Sequence, residues 1–357
     1  MRKTRKQRER QLRQKKGNRA WKIILISLSV LLTVVLSVSA AAIWFVHDKI
    51  SRMDRETEKV DEEELQISQN ENLTGYRNIA LFGVDSRYGT LGKGNRSDCI
   101  IIASVNNKTH DVKLVSVYRD TYVKIEGHGY NKINVAYAKG GAQLALKTLN
   151  ANLDLNISEF VTVNFDVLSN AIDLLGGIDM KITNAELEYI NYYINDTNKW
   201  TGKKSKEIKK AGNHHLDGVQ AVAYCRIRYT AGGDYKRTER MRDVIEAMVK
   251  VLKTKSLTEI NNFANKILPQ VYTNLSTTDV LSLLPAMASF NISESIGWPY
   301  KIKGATLKGT WYGIPVTLES NVIELHKKVF NDEEDYVVPD SIVQISEKIV
   351  EKSGYRD

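Results

Sequence analysis

The sequence predicts an α/β protein, a layered α/β/α sandwich around a central mixed sheet, preceded by one N-terminal transmembrane helix. Three observations carry this expectation. Short continuous apolar runs at residues 78–84 and 99–105 suit strands covered on both faces. Strand and helix patterns alternate from there on, the signature of one α/β unit. Ahead of them, residues 23–46 form a run of 24 residues without a charged side chain.

The elements follow in chain order. The chain has 357 residues, and 51 Lys plus Arg against 42 Asp plus Glu give a net charge of +9. Residues 1–22 hold eleven basic side chains and one acid, leaving 40 basic and 41 acidic residues for the rest. The basic character is thus a tail, and the main body is close to neutral. At about 1.5 Å per residue the 23–46 run reaches across a bilayer core with some tilt. Trp21 and Trp44 stand near its ends, and the basic flank places the N-terminus in the cytoplasm. Positive-inside topology accounts for the tail, so no nucleic-acid partner is expected. The run continues past the small residues Ala40, Ala41 and Ala42 and exceeds the hydrophobic region of a signal peptide, favouring a retained anchor. Residues 47–74 are charged and poor in apolar residues, and read as a stalk.

Residues 75–340 are expected to form one extracytoplasmic domain, and 341–357 a C-terminal tail. Strands are predicted at 78–84, 99–105 and 112–117. Gly140-Gly141 opens a helix to about Leu153, 160–165 is strand-like, and 166–175 is helical before Gly176-Gly177 turns the chain into 178–182. Asp217 caps a helix with the inward stripe Val219, Val222, Ala223 and Arg226. A longer helix carries Met241, Val244, Ile245, Met248, Val249 and Leu252, with Arg237 one turn earlier on the same face.

Two cysteines, Cys99 and Cys225, do not make a disulfide framework for a body of this size. They are one bridge or two separately buried thiols. The chain lacks a P-loop, GxGxxG after a strand, HExxH, CxxC and GxSxG, and His214-His215 read as surface residues.

Acids and arginines instead gather at the ends of predicted elements. Gly83-Val84-Asp85-Ser86-Arg87 ends one strand, and Arg96-Ser97-Asp98 precedes the next. Asp85 and Asp98 at neighbouring strand ends suit a hard cation such as Mg²⁺, and equally suit turn caps. Tyr118-Arg119-Asp120 ends the third strand, and Lys132 follows in Asn131-Lys132-Ile133-Asn134. Arg226 and Arg228, then Asp234, Arg237 and Arg240, complete the set. Arginines at a helix start oppose the macrodipole unless an anion neutralises them, and their forks fit phosphate oxygens. The competing account, ion pairing with Glu239, Asp243 and Asp234, leaves Arg226 on an apolar face unexplained.

Six ordered motifs, NIALFGVDSR, GNRSDCIIIASV, LVSVYRDTYV, NKINVAYAKGG, VTVNFDVLSNAIDLLGGIDM and LDGVQAVAYCRIRYTAGGDYKRTER, closely resemble the LytR-CpsA-Psr family of bacterial cell-envelope proteins. The resemblance implies a membrane-anchored extracytoplasmic phosphotransferase that moves a polyprenyl-pyrophosphate-linked glycopolymer, such as teichoic acid or capsule, onto peptidoglycan. It implies a lipid tail in an apolar tunnel and a Mg²⁺ (or Mn²⁺) cofactor on Asp85 and Asp98. Arg87, Arg96, Arg119, Lys132, Arg226, Arg228, Arg237 and Arg240 would hold the pyrophosphate. A base must take the proton of the attacking muramyl hydroxyl; Asp234 is the first candidate and Asp120 the second. Met241 stands where the family usually has Gln, Tyr118 where it has Pro, and Val135 where it has His. None of these removes an expected metal ligand or arginine. A non-catalytic sensor of polyprenyl-pyrophosphate glycans and a pyrophosphate hydrolase are the competing functions; a 22-residue tail with no domain of its own speaks against signalling.

Overall fold

The computed structural model describes residues 60–86, 90–276, 289–331 and 336–356. The basic tail, the apolar run at 23–46, the first part of the stalk and Arg87 lie outside the described residues. Among those described, no helix is long and apolar enough to cross a membrane.

The strands are β1 (Tyr76–Val84), β2 (Ser97–Asn106), β3 (Asp111–Val117), β4 (Tyr122–Ile125), β5 (Gly129–Lys132), β6 (Glu159–Asn164), β7 (Ile178–Ile182), β8 (Gly212–Leu216), β9 (Tyr272–Thr273), β10 (Asn291–Trp298), β11 (Ile302–Leu307) and β12 (Thr310–Pro315). The helices are α1 (Asn134–Leu153), α2 (Phe165–Leu175), α3 (Asn184–Thr201), α4 (Gly218–Arg226), α5 (Gly233–Leu252), α6 (Leu257–Ile267), α7 (Leu318–Phe330) and α8 (Asp340–Ser353).

Six strands form the central mixed sheet in the order β10-β3-β2-β1-β6-β9. Strands β1, β3, β6 and β10 run one way and β2 and β9 the other. Strand alternation divides the apolar side chains between two cores. Ala80, Phe82, Ile100, Ile102, Val115 and Val117 face α1, α7 and α8. Ile101, Val105, Val112 and Leu114 face α2 to α5. Helices therefore cover both faces, as the continuous apolar runs predict.

Local chemistry sets the element ends. The Asn164 side chain accepts from Val167 N–H at 2.9 Å and starts α2, so Phe165 belongs to the helix rather than the strand. Asp217 caps α4 in a reciprocal pair with Gln220, as expected. Helix α1 has non-helical backbone at Gly140 and Gly141, so its long second half begins at the expected glycines and a short first part precedes it. Gly141 has φ of 63°, which a side chain rarely tolerates.

Two expectations are corrected. The described part of the stalk, 60–74, packs on the domain, because Leu65 and Leu73 are fully buried in the α1-side core and the Asn150 amide donates to Leu65 O at 3.1 Å. Two apolar side chains in a polar segment suffice when both find the core. The expected C-terminal tail includes most of α8, whose Ile342, Ile345 and Ile349 join the same core at helical spacing. Strand β7 lies outside the main sheet and pairs with β8 alone, as its exposed Asp179 and Lys181 suit.

Candidate active site

The parallel strands end at one edge of the sheet, and the charged segments gather there, the usual location of a ligand site in an open α/β sheet. Asp85 follows β1 directly and is exposed. In the β1–β2 pairing Gly83 opposes Cys99 and Val84 opposes Ser97, so Asp98 is the extra residue of a bulge. A bulge breaks the alternation and re-aims its side chain, here over the sheet edge.

Asp98 is the hub of the site. Arg119 Nη1, from the end of β3, donates to Asp98 Oδ1 at 2.8 Å. Arg228 Nη2, just beyond α4, lies 3.5 Å from Asp98 Oδ2, and Arg237 Nη2, from the second turn of α5, donates to the Asp98 carbonyl at 3.2 Å. The same Arg237 nitrogen lies 2.9 Å from Asp234 Oδ1, and Arg119 Nε lies 3.4 Å from Asp234 Oδ2. Asp120 closes the network, with Lys132 Nζ at 2.7 Å and Arg119 Nε at 3.6 Å. Four cations, Arg119, Lys132, Arg228 and Arg237, thus face three carboxylates from five segments.

Burial sets the electrostatics. Arg237 is 1% exposed, and burial holds its guanidinium below the ordinary arginine range despite the Asp234 charge. Its Nε has no hydrogen-bond partner. For Arg119, burial opposes the charge, but Asp98, Asp234 and Asp120 outweigh it and push the group up. A cationic group kept partly dry beside an open cleft is arranged for an anion.

Other expected site residues take different places. Arg226 donates to Asp196 at 2.7 Å and Thr197 at 2.9 Å, and its guanidinium carbon sits 5.3–5.8 Å from the rings of Phe165, Tyr193 and Trp200. That aromatic box explains an arginine on an apolar helix stripe. Sequence periodicity does not reveal it, because the three rings come from two other helices. Arg96 is exposed at the start of β2. Arg240 is corrected: it is 1% exposed, and its fork is taken by Glu186 at 2.9 Å, Ile227 O at 3.2 Å and Thr230 at 2.6 Å. It holds the loop between α4 and α5 and does not face the cleft. Lys132 has a neighbourhood that sequence reasoning missed, with Trp311 and Tyr312 of β12 each 5.9 Å from its ammonium.

A cavity of ≈ 330 Å³ runs between the sheet and helices α2, α5 and α6. All six apolar side chains of the α5 stripe line it, with Leu81, Val163, Leu168 and Phe263 among the opposing groups. Asp98 lines it too, so the cavity reaches the hub of the charged network. Cys99 and Cys225 both line it as free thiols, and burial pushes the Cys99 thiol up to about 12.

Asp85 and Asp98 are hard oxygen donors at adjacent strand ends, the donor chemistry that Mg²⁺ takes together with phosphate oxygens and water. Among the described residues no group of three or more His, Cys, Asp or Glu side chains is placed to hold a metal alone. The residues fit an ion whose remaining ligands come from substrate and solvent.

The LytR_cpsA_psr family model matches residues 42–328. The polyisoprenyl-teichoic acid–peptidoglycan teichoic acid transferase TagU of Enterococcus faecalis is 31% identical over 304 residues, covering 83% of this chain and 90% of TagU. Among solved structures, protein gbs0355 from Streptococcus agalactiae superposes with a TM-score of 0.63 at 27% identity, covering 76% of this chain and 94% of that one. TagT bound to LIIa-WTA superposes at 0.58 and 25% identity, over 74% of this chain and 94% of TagT. The match spans the sheet, the charged edge and the cavity walls alike, and the chain belongs to the LytR-CpsA-Psr family.

Proposed function

We propose that this protein is a phosphotransferase that moves a teichoic-acid-type polymer from a polyprenyl-pyrophosphate carrier onto peptidoglycan through a phosphodiester. One observation carries the reading. The wall of an apolar cavity and the centre of a cationic cluster share a residue, Asp98. Only an amphiphile with an anionic head uses both, and a lipid pyrophosphate is such a molecule. The transferase activity that names TagU and the LIIa-WTA bound to TagT support the same chemistry. An apolar hollow of this size forfeits packing contacts that a solid core would make, which favours an occupant.

The chain's own residues account for each requirement of the reaction. Arg119, Arg228, Arg237 and Lys132 hold the two phosphates, with Arg226 flanking them. The muramyl hydroxyl oxygen of the acceptor forms a bond to the glycan-side phosphorus, and the bond from that phosphorus to the bridging oxygen breaks. The electron pair leaves with polyprenyl phosphate, where the arginines stabilise the developing charge. Asp234 Oδ2, held beside Arg119, takes the hydroxyl proton, with Asp120 as the second candidate. Asp85 and Asp98 would hold a Mg²⁺ or Mn²⁺ ion, which would supply further charge neutralisation to the phosphates. The sequence supports an anchored chain with a cytoplasmic N-terminus and an extracytoplasmic catalytic domain.

The full chain in detergent, Mg²⁺, a synthetic polyprenyl-pyrophosphate oligosaccharide and uncrosslinked peptidoglycan test the reading by mass spectrometry of the products. Glycan joined to peptidoglycan through a phosphodiester is expected. Release of free glycan phosphate alone would make the protein a hydrolase, and unchanged donor would make it a binder.

Filling the cavity tests its role separately. Ile245→Trp places an indole where the α5 stripe faces the hollow. KM for a long-chain prenyl donor is expected to rise by about tenfold or more, the scale on which apolar pockets discriminate, while a short-chain donor is little affected. Equal effects on both donors would remove the tail from this cavity.

A further inference from the structure

Residues 199–210 carry six lysines and one acid, Glu207. Lys203 is tied to α2, donating to Ser169 Oγ and Asn170 Oδ1 at 2.9 Å and to Asp173 at 2.8 Å. The other five, Lys199, Lys204, Lys206, Lys209 and Lys210, are exposed. None of the five makes an ion pair among the described residues. Elsewhere some lysines find acids, as Lys255 does with Glu259, Lys328 with Glu324 and Lys348 with Glu351, and exposed ones that do not, such as Lys108, Lys250 and Lys308, are scattered along the chain. What sets this segment apart is density, five exposed lysines without an ion pair within twelve residues.

The segment is also held rigidly. Asn198 exchanges two 2.9 Å hydrogen bonds with the backbone of Ser205, and Asn191 exchanges two of 2.9 Å with the backbone of Ile208. Between them, the Asn195 amide donates to Glu207 at 2.7 Å. Asn191 and Asn198 are about 10.5 Å apart along α3 at 1.5 Å per residue. The three residues from Ser205 to Ile208 cover that distance only at the strand rise of about 3.4 Å. An asparagine ladder thus pins an extended, lysine-rich segment antiparallel to α3. Ordinary surface charge needs no such frame.

The strip begins beside the wall of the apolar cavity. Trp200, between Lys199 and the extended segment, stands 5.8 Å from the Arg226 guanidinium, and Arg226 also rests on Phe165, a cavity wall. From that point the lysines lead away along the α3 flank.

We propose that this strip is a track for the polyanionic chain of the donor, a polymer whose repeating unit carries a phosphodiester. The inference rests on the transferase reading and extends it beyond the pyrophosphate, giving the repeating phosphates of the polymer a surface to follow. Lysine suits such a track, since compact ammonium groups attract phosphates that move, whereas arginine forks fix a pyrophosphate that must not. Each contact is weak, and the sum is strongly dependent on salt.

The proposal is tested by fluorescence anisotropy on the full chain in detergent micelles, with a labelled glycerol-phosphate oligomer and a neutral glucose oligomer of equal length. The phosphate oligomer is expected to bind and to weaken steeply with salt; the neutral one is not. Lys204→Glu, Lys206→Glu, Lys209→Glu and Lys210→Glu together are expected to lower oligomer affinity by about tenfold or more. Neutral Gln replacements at the same positions give an intermediate loss and guard against misfolding in the reversed variant. A matched reversal at the scattered exposed lysines Lys108, Lys250, Lys308 and Lys327 leaves affinity within about twofold. An equal loss in that control would reduce the effect to net charge and overturn the track. Unchanged oligomer affinity in the strip variant would also overturn it. So would retained affinity together with lost proximity of Trp200 to phosphatidylglycerol headgroups in nanodiscs, which would assign the strip to the bilayer. The binding readout needs no turnover, so a wild-type chain that transfers nothing but binds in this pattern removes the transferase reading and leaves the track standing.

Discussion

Arg119→Ala is expected to lower kcat for polymer transfer by about 10²–10³-fold, with KM for the lipid donor changing by less than about fivefold. Arg119 contacts Asp98 at 2.8 Å and lies within 3.6 Å of both Asp120 and Asp234, so it alone touches every carboxylate of the network. In the resting protein those carboxylates hold it in place. In the reaction, charge builds on the departing phosphate, and a preorganised guanidinium is worth most there because little reorganisation is needed. Arg119→Lys keeps the charge and loses the fork, and intermediate activity is expected. Thermal unfolding of each variant separates chemistry from folding, since removal of Arg119 leaves three carboxylates with fewer counter-charges. A change in KM alone would place Arg119 in ground-state holding of the donor, and full activity would remove it from the site.

How far the site was legible in the sequence differs from residue to residue, for physical reasons. That both faces of the sheet are covered was legible, because a strand apolar at nearly every position leaves no side for water. The strand-end acids and arginines were legible as a group because they recur at the ends of several apolar runs, although Asp85 and Asp98 taken alone suited turn caps equally well. The α5 stripe was legible as an inward face, yet helical period reports which side a residue faces and not whether the space beyond is filled; the six side chains line a cavity. The bulge that turns Asp98 over the sheet edge depends on the pairing of β1 with β2 and leaves no trace in β2 itself. Leu65 and Leu73 illustrate the opposite error: a polar composition suggested a stalk, and two buried side chains bind the segment to the core.

Arg240 shows where the motif misleads, and its replacement carries the second large effect. Three residues from Arg237 in a run of arginines, it falls near the same face by helical period, and only a carboxylate 54 positions away distinguishes it. Arg240 and Glu186 are both nearly fully buried, and breaking such a pair leaves an uncompensated charge, at a cost of about 3–5 kcal/mol. Arg240→Ala is therefore expected to lower the unfolding free energy by about that amount, read by denaturant titration. It also frees the Ile227 carbonyl and Thr230 hydroxyl, so the loop carrying Arg228 loosens and turnover falls. The pH dependence follows from Glu186. Burial pushes its carboxyl up, but hydrogen bonds from the Thr183 backbone, Arg240 and the Thr183 side chain outweigh it, and its net direction is below the ordinary glutamate range. A group lowered on folding contributes stability above its unfolded value and loses it as pH falls through the folded one. The wild-type chain is thus expected to lose stability from the ordinary glutamate range downward. Glu186→Gln should flatten that slope without restoring Arg240 its partner. A double-mutant cycle of Arg240→Met and Glu186→Gln isolates the coupling. Coupling near zero would return Arg240 to the phosphate site, where Arg240→Ala would cut transfer and leave stability unchanged.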